Sequence, residues 1–308
     1  MADFVAHDLL GEFLSCPRHL EQRYEALFRW GLQGPDLFFY YRVLTGAPLH
    51  TLGNRMHDQH TSPLLAAMAR FCAAQKEPSR RERAEAYFYG FLGHYGLDSV
   101  VHPYVFHHQY RLAAKRPGEH PGALHCRIEA DMDIDLYSYY KHQPISRYDP
   151  REGHGLDGED KEVLGALLSQ VIRQVYGLVI APQQIAAAAD EMLRVQRLLY
   201  SGSHSLWRVA SVGDLLLRQG GVLRAHVKLH RPQWDSLNLS GRAWRDPSRA
   251  EQVRTDSVPQ LMEQAAHRAQ ELIDLYSAMI QGGQVEEIPL AESFSQGCLE
   301  NTGAKKSF

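Results

Sequence analysis

Histidines and carboxylates recur at a spacing of four residues in the first half of the chain, and they are the residues best suited to chemistry. The clearest case is the run His94, Asp98 and His102. Residues four apart lie on one helix face, so this spacing predicts a stripe of two imidazoles and a carboxylate. Imidazole and carboxylate are the usual ligands of a catalytic zinc ion without cysteines. Apolar neighbours predict burial, which indicates either bound cations, with Asp98 placed to bridge two of them, or a hydrogen-bonded polar core.

A second pair at the same spacing, His125 and Glu129, follows further along the chain. Cys126 lies beside it but points to a different helix face, so we interpret it as structural. Asp36 follows a Gly-Pro pair, a position where turn formers and helix N-caps are also common. Each feature is a weak signal alone, and together with the first stripe they indicate a larger set of metal ligands.

Two further histidines are candidates by position. His57 ends the segment 52–57, but His50 and His60 lie nearby and spacing does not choose among them. His7 lies close to the start of the sequence. Of the 17 histidines, 13 fall within the first 154 residues, so histidine chemistry is expected in the N-terminal half.

Helices must position these residues, because apolar residues recur at helical spacing and the strand signals are too short for a sheet. The predicted fold class is all-α, a multi-helix bundle. The predicted helices are 8–30, 61–75, 81–101, 124–140, 161–176, 182–200, 205–218 and 257–281, with loops at 76–80, 109–122 and 141–160. The predicted organisation is one domain over 1–283, with metal ligands within 1–140, a helical scaffold over 161–283 and a flexible tail at 284–308. Pro103 disfavours helix before it, so His102 is expected at a helix end.

The composition indicates a soluble globular protein, with 44% hydrophobic and 22% charged residues. A formal net charge of −3 disfavours constitutive nucleic-acid binding, because phosphate contacts need clustered Lys and Arg. No stretch has the apolar length of a transmembrane segment. The first residues lack a secretory pattern and the four cysteines are scattered. We therefore expect a cytoplasmic location.

Together these segments resemble the zinc-dependent phospholipase C family, whose plan the zinc-dependent single-strand nucleases share. They are most similar to a branch of the family without signal peptides. The similar segments are 31–36, 52–57, 94–103, 125–129 and 234–244. The resemblance covers most of residues 1–280 and implies a helical fold that holds up to three zinc ions in a cleft.

The resemblance implies a role for each candidate ligand. One zinc ion would be bound by Asp36, His57, His94 and Asp98, a second by His102, His125 and Glu129, and a third by Asp98, His7 and the terminal amine of Ala2, if Met1 is removed. In secreted members five residues separate the Asp from the next His, whereas here three do, which leaves His107 and His108 as substitutes for His102. Secreted members also use a mature N-terminal Trp, which this sequence lacks.

The resemblance further implies hydrolysis of a phosphodiester by a zinc-activated water, with Asp36 as general base. The substrate would be a phosphate ester, and a phospholipid is one candidate. A lipid would need an apolar rim, which Phe38 and Tyr40 could supply, although core packing is the alternative for these aromatics. A nuclease and a soluble phosphodiesterase or phosphatase are alternative functions. A non-catalytic helical protein with a structural metal site is the alternative of another class.

Overall fold

A computed structural model describes residues 4–42, 49–217, 221–229, 231–249, 251–290 and 293–294. Over these residues the chain is mainly helical and has only two very short strands, which confirms the all-α prediction. The α-helices are α1 (Phe4–Leu10), α2 (Leu20–Arg23), α3 (Glu25–Gln33), α4 (Leu49–Asp58), α5 (Thr61–Ala74), α6 (Pro78–Lys115), α7 (Pro121–Lys141), α8 (Gly158–Tyr176), α9 (Pro182–Leu199), α10 (His204–Leu217), α11 (Val222–Ala225) and α12 (Val258–Gly282). Short 3-10 helices span Gly11–Phe13, Pro17–His19, Gly34–Phe39 and Ile145–Arg147. The two-residue strands β1 (Trp244–Arg245) and β2 (Val253–Arg254) pair antiparallel.

The long helix α6 is the centre of the fold, and α3 and α12 pack against it. Glycines set the crossing with α3, since a Cβ on Gly31 would lie 2.1 Å from the Tyr87 carbonyl oxygen and a Cβ on Gly90 2.0 Å from that of Phe28. Only glycine allows such close backbone approach. The crossing brings the end of α3 against the middle of α6, where the His94 stripe begins.

Helix α6 runs through Pro103 and ends at Lys115. The expectation that His102 lies at a helix end was therefore wrong. The loop predicted at 109–122 is shorter than expected, because only residues 116–120 lie outside helices. A proline inside a helix costs about 3 kcal/mol through its lost N–H and ring clash. Val101, Tyr104 and Val105 around it are fully buried, and this tertiary burial outweighs the local preference.

The predicted helix 8–30 is interrupted, which is a second correction. Pro17 favours an extended conformation at Cys16 (φ −100°, ψ 150°), and Arg18 has a left-handed φ of 61°. The chain therefore turns between α1 and α2. The helices predicted at 61–75, 124–140, 161–176, 182–200, 205–218 and 257–281 correspond to α5, α7, α8, α9, α10 and α12.

The segment between α7 and α8, predicted as an exposed loop at 141–160, packs partly against the N-terminal helices. His154 is fully buried, and its carbonyl accepts a hydrogen bond from Trp30 Nε1 (3.0 Å). The His154 ring lies 3.3 Å from the Asp8 carboxylate, which also accepts from the Tyr148 hydroxyl. These contacts tie the segment to α1.

The predicted tail at 284–308 falls mainly outside the described residues. Nine of its residues are described, namely 284–290 and 293–294. Ser293 and Phe294 are buried, and Val285, Ile288 and Leu290 are partly buried against the hydrophobic core. The single domain over 1–283 stays a prediction. Among the described helices, none combines the length and the apolar character that crossing a membrane requires.

Candidate metal centre

Asp98 lies at the centre of a buried cluster of imidazoles. Its Oδ2 is 3.2 Å from His94 Nε2 and 3.5 Å from His57 Nε2. Its Oδ1 is 3.5 Å from His7 Nε2 and 3.8 Å from His102 Nε2. The two oxygens of one carboxylate thus face different pairs of imidazoles, which is the arrangement that a carboxylate needs to bridge two metal ions.

Within the described chain, three groups of ligand atoms are close enough to hold a metal ion, each with its atoms within 4.8 Å of one another. The groups are His7, His94 and Asp98; Asp36, His57 and His94; and His102, His125 and Glu129. All eight histidines and carboxylates singled out in the sequence are therefore brought together. His94 belongs to two groups. The ligands expected for the zinc ion at Asp36 and those expected for the zinc ion at His7 therefore lie side by side.

The turn after α3 and the end of α4 place Asp36 and His57 against α6. Asp36 Oδ1 lies 3.2 Å from His57 Nε2. Gly34 precedes Asp36 with a φ of 52°, and a Cβ there would lie 2.5 Å from the His94 ring. A glycine is thus required for the turn to approach His94.

Carbonyl oxygens orient the rings on the side away from the cluster. His57 Nδ1 lies 2.7 Å from the Gly53 oxygen, and His94 Nδ1 lies 2.9 Å from the Leu32 oxygen. A ring that donates its Nδ1–H to a carbonyl keeps the lone pair on Nε2, and this tautomer is typical of metal-binding histidine.

The group of His102, His125 and Glu129 is also oriented by hydrogen bonds, and the sequence did not reveal these contacts. His102 Nδ1 lies 2.5 Å from the Phe294 carbonyl oxygen, and His125 Nδ1 lies 2.7 Å from Gln109 Oε1. Glu129 Oε1 is 2.9 Å from His125 Nε2 and 3.7 Å from His102 Nε2. Phe294 lies in the predicted tail and Gln109 in the predicted loop, so local pattern gave no signal for either partner.

Burial and charge set the protonation states of the cluster. Burial lowers the pKa of His7, His102 and His125. Burial alone would raise the pKa of Asp98, but His102 and His94 hold it well below its ordinary value. Burial opposes protonation of His94 too, yet Asp98 and nearby groups raise its pKa. At neutral pH the cluster therefore offers an ionised Asp98 carboxylate and neutral imidazoles at His7, His102 and His125, which are the states that bind metal.

The donor atoms fit zinc. Both ring nitrogens of His7, Nε2 of His102 and Oδ1 of Asp36 are buried and make no hydrogen bond of good geometry with the described part of the chain. Buried polar atoms are normally satisfied, so such atoms converging from several elements indicate a ligand. Nitrogen and oxygen donors without thiolate suit zinc in a catalytic site.

The alternative histidines lie elsewhere. His107 Nδ1 accepts a hydrogen bond from the Arg245 backbone N–H (3.2 Å), and the His108 ring packs 4.9 Å from Trp234. The geometry thus favours His102 as the ligand. His60 is exposed with a left-handed backbone (φ 63°), which favours His57. Ala2 and the His50 side chain lie outside what the structure describes.

Phe38 and Tyr40, the aromatic residues expected at a substrate rim, differ in their exposure to solvent. Phe38 is fully buried in the hydrophobic core, as the packing alternative expects, so it forms no accessible rim. Tyr40 is partly exposed and packs against that core.

A buried carboxylate on α7 fixes the helix that carries His7. Asp133 accepts hydrogen bonds from the backbone N–H groups of Val5 (3.0 Å) and Ala6 (2.9 Å) and from the Tyr200 hydroxyl (2.5 Å). N–H groups in the first turn of a helix have no partner within the helix, and a carboxylate there also complements the helix dipole. Asp133 thereby holds α1, and with it His7, against Asp98.

The comparisons with known proteins agree with this geometry. A sequence profile described as "Zinc dependent phospholipase C" matches residues 1–176, which include every candidate ligand. The chain belongs to the zinc-dependent phospholipase C family, a family of hydrolases that act on phosphoester bonds. Neither the curated proteins nor the solved structures include a match to this chain.

Proposed function

We propose that this chain is a zinc-dependent phosphoric-ester hydrolase of the phospholipase C type that cleaves a phosphodiester. The observation that carries the proposal is the position of Asp98, whose two oxygens face four buried imidazoles from three helices. A structural zinc site is normally closed by four protein ligands. The eight side chains here form three groups of three, with His94 shared by two groups, which leaves coordination positions for water and substrate.

The proposed ligands are those that the three groups contain, with up to three zinc ions. Bound zinc supplies a nucleophile from water at neutral pH and offsets charge on the phosphate oxygens. Asp98 holds the groups together, because each of its oxygens faces a different pair of rings. The terminal amine of Ala2 remains a proposed ligand beside His7.

Asp36 is the proposed general base. Its Oδ1 faces His57, which leaves the second carboxylate oxygen to accept a proton from the attacking water. Asp36 is 6% exposed, whereas His94 and Asp98 are fully buried. Within its group Asp36 therefore has the largest exposed fraction, which makes it the residue most accessible to water.

The activity test compares three phosphodiesters on protein loaded with zinc: bis(p-nitrophenyl) phosphate, phosphatidylcholine in mixed micelles and single-stranded DNA. We expect hydrolysis of the small diester and of the lipid, with little cleavage of DNA because the chain lacks a basic surplus. A chelator should abolish hydrolysis and added zinc should restore it, since the ligands remain in place. Bound zinc without hydrolysis of any ester would contradict the enzymatic proposal and indicate a structural site.

Replacement of Asp133 by Asn tests how the N-terminal helix is held. The amide presents an N–H to one of the two backbone N–H groups, so we expect α1 to shift. Loss of a group that hydrogen-bonds a metal ligand typically weakens metal binding about 10- to 100-fold. Asp133 acts on His7 through the backbone of α1, so we expect an effect at the lower end of that range in the group that contains His7. Zinc titration against a competing chelator would show weakening of one site, with the others unchanged.

Tyr200→Phe is the matched control, because it removes the hydroxyl but keeps both backbone bonds to Asp133. We expect nearly normal zinc binding in this variant. Equal zinc affinity at every site in Asp133→Asn and in the unmodified chain would show that Asp133 does not position His7.

A further inference from the structure

A cavity of about 300 Å³ opens between the C-terminal part of α6, the middle of α7 and the segment 234–244. None of the eight proposed zinc ligands lines it. Its size is at the lower end of the range for small-molecule sites. The segment 234–244 lies beyond the residues that the family profile matches.

The cavity carries a local excess of positive charge in a chain whose net charge is −3. Five of its lining residues are Arg or Lys and two are Asp. Arg111 and Lys115 lie four residues apart on α6, a spacing at which like charges repel. Within the described residues neither forms an ion pair with a carboxylate, whereas Arg127 is paired with Glu119 at 3.2 Å. An anion in the cavity would relieve this repulsion.

The two lining carboxylates are engaged by the loop. Asp131 Oδ2 accepts a hydrogen bond from Trp234 Nε1 at 2.6 Å. Asp235 accepts from the backbone N–H groups of Leu239 and Ser240, both at 2.9 Å. These carboxylates therefore shape the loop, and the two cations on α6 remain directed to the cavity without an acidic partner.

Aromatic side chains form one wall. The bond from Trp234 to Asp131 fixes the indole, and the His108 ring packs on it at 4.9 Å between ring centres. Trp244 is buried beside them, and its Nε1 donates to the Asp256 carbonyl oxygen at 3.1 Å. The wall is thus held in place by the protein itself, and preorganised aromatic surface binds flat groups at little entropic cost.

We propose that this cavity binds a small organic phosphate, with the phosphate held by Arg111, Lys115 and Arg242 and a flat apolar group packed against Trp234. Arginine and lysine in a partly enclosed site are the usual phosphate-binding side chains. Hydrolysis at the zinc centre is not part of this assignment, because the cavity lies on other faces of α6 and α7.

The test is calorimetric titration of the full-length, zinc-loaded chain with 5′-AMP, inorganic phosphate and adenosine. We expect AMP to bind more tightly than phosphate, and adenosine to bind weakly. The double variant Arg111→Gln/Lys115→Gln should lose about tenfold or more in AMP affinity, because charge-assisted hydrogen bonds are removed. Arg173→Gln, an exposed change on α8 outside the cavity, is the control and should bind normally. Hydrolysis of the small diester should be the same in all of these variants.

Trp234→Leu distinguishes the contribution of the flat group to binding from that of the phosphate. It should weaken AMP binding and leave phosphate binding unchanged. Equal binding of AMP and phosphate, insensitive to this change, would overturn the organic part of the assignment and make free phosphate the ligand. Unchanged AMP affinity in the double variant would show that Arg111 and Lys115 do not hold the phosphate and would overturn the proposal, as would absence of binding to either phosphate at millimolar concentration.

Discussion

Asp98→Asn is expected to lose at least one zinc ion per chain and nearly all hydrolytic activity. Asp98 is the residue whose oxygens face both the His94–His57 pair and the His7–His102 pair, so the change removes negative charge from the middle of the cluster. An amide has only one acceptor oxygen and cannot bridge two ions in the same way. Metal-based stabilisation of a transition state amounts to several kcal/mol, which corresponds to roughly 10³-fold in rate.

Zinc content by elemental analysis and initial rates on the small diester check this expectation. Asp135→Asn is a matched control, because it makes the same chemical change on α7 at a carboxylate that binds Ser236 outside the cluster. Circular dichroism must show the same helix content in both variants, so that loss of metal is separated from loss of fold. Normal zinc content and rate in Asp98→Asn would contradict the bridging role.

Asp36→Asn is expected to separate catalysis from metal binding. The amide oxygen can still face the zinc ions, but it cannot take a proton from water at neutral pH. General base catalysis contributes typically 10²- to 10⁴-fold, so we expect turnover to fall by about that factor while zinc content stays nearly unchanged.

The measurement is kcat on the small diester beside zinc content in the same preparation. His57→Ala is the comparison, since it removes a ligand without removing a base and should lower zinc content together with the rate. Equal turnover in Asp36→Asn and the unmodified chain would refute the role of Asp36. A parallel loss of zinc and activity would assign Asp36 to metal binding alone.

The spacing of four along α6 was sufficient to predict the central stripe, because helix geometry alone places His94, Asp98 and His102 on one face. The same local reasoning failed at Pro103, where burial of Tyr104 and Val105 keeps the chain helical. The local preferences of the residues predict the backbone conformation well where tertiary packing does not oppose them. They fail where tertiary packing supplies more free energy than the local preference costs.

The contacts that orient the rings could not be predicted, since they join distant parts of the chain. The Phe294 carbonyl meets His102 across 192 residues, and Asp133 meets Val5 across 128. Periodicity contains no information about such pairs. The choice of His102 over His107 and His108 likewise needed the structure. All three lie on the continuous helix α6, and the helix face that each ring occupies decides which one reaches Asp98.

The measurement that tests the central claim most directly is the zinc content of the full-length chain. The protein would be purified without an affinity tag or chelating resin and analysed by inductively coupled plasma mass spectrometry. We expect about two to three zinc ions per chain, as three groups of ligands with a bridging carboxylate require. A content of about one ion or none, after dialysis against excess zinc, would mean that the cluster is a single structural site or a polar core.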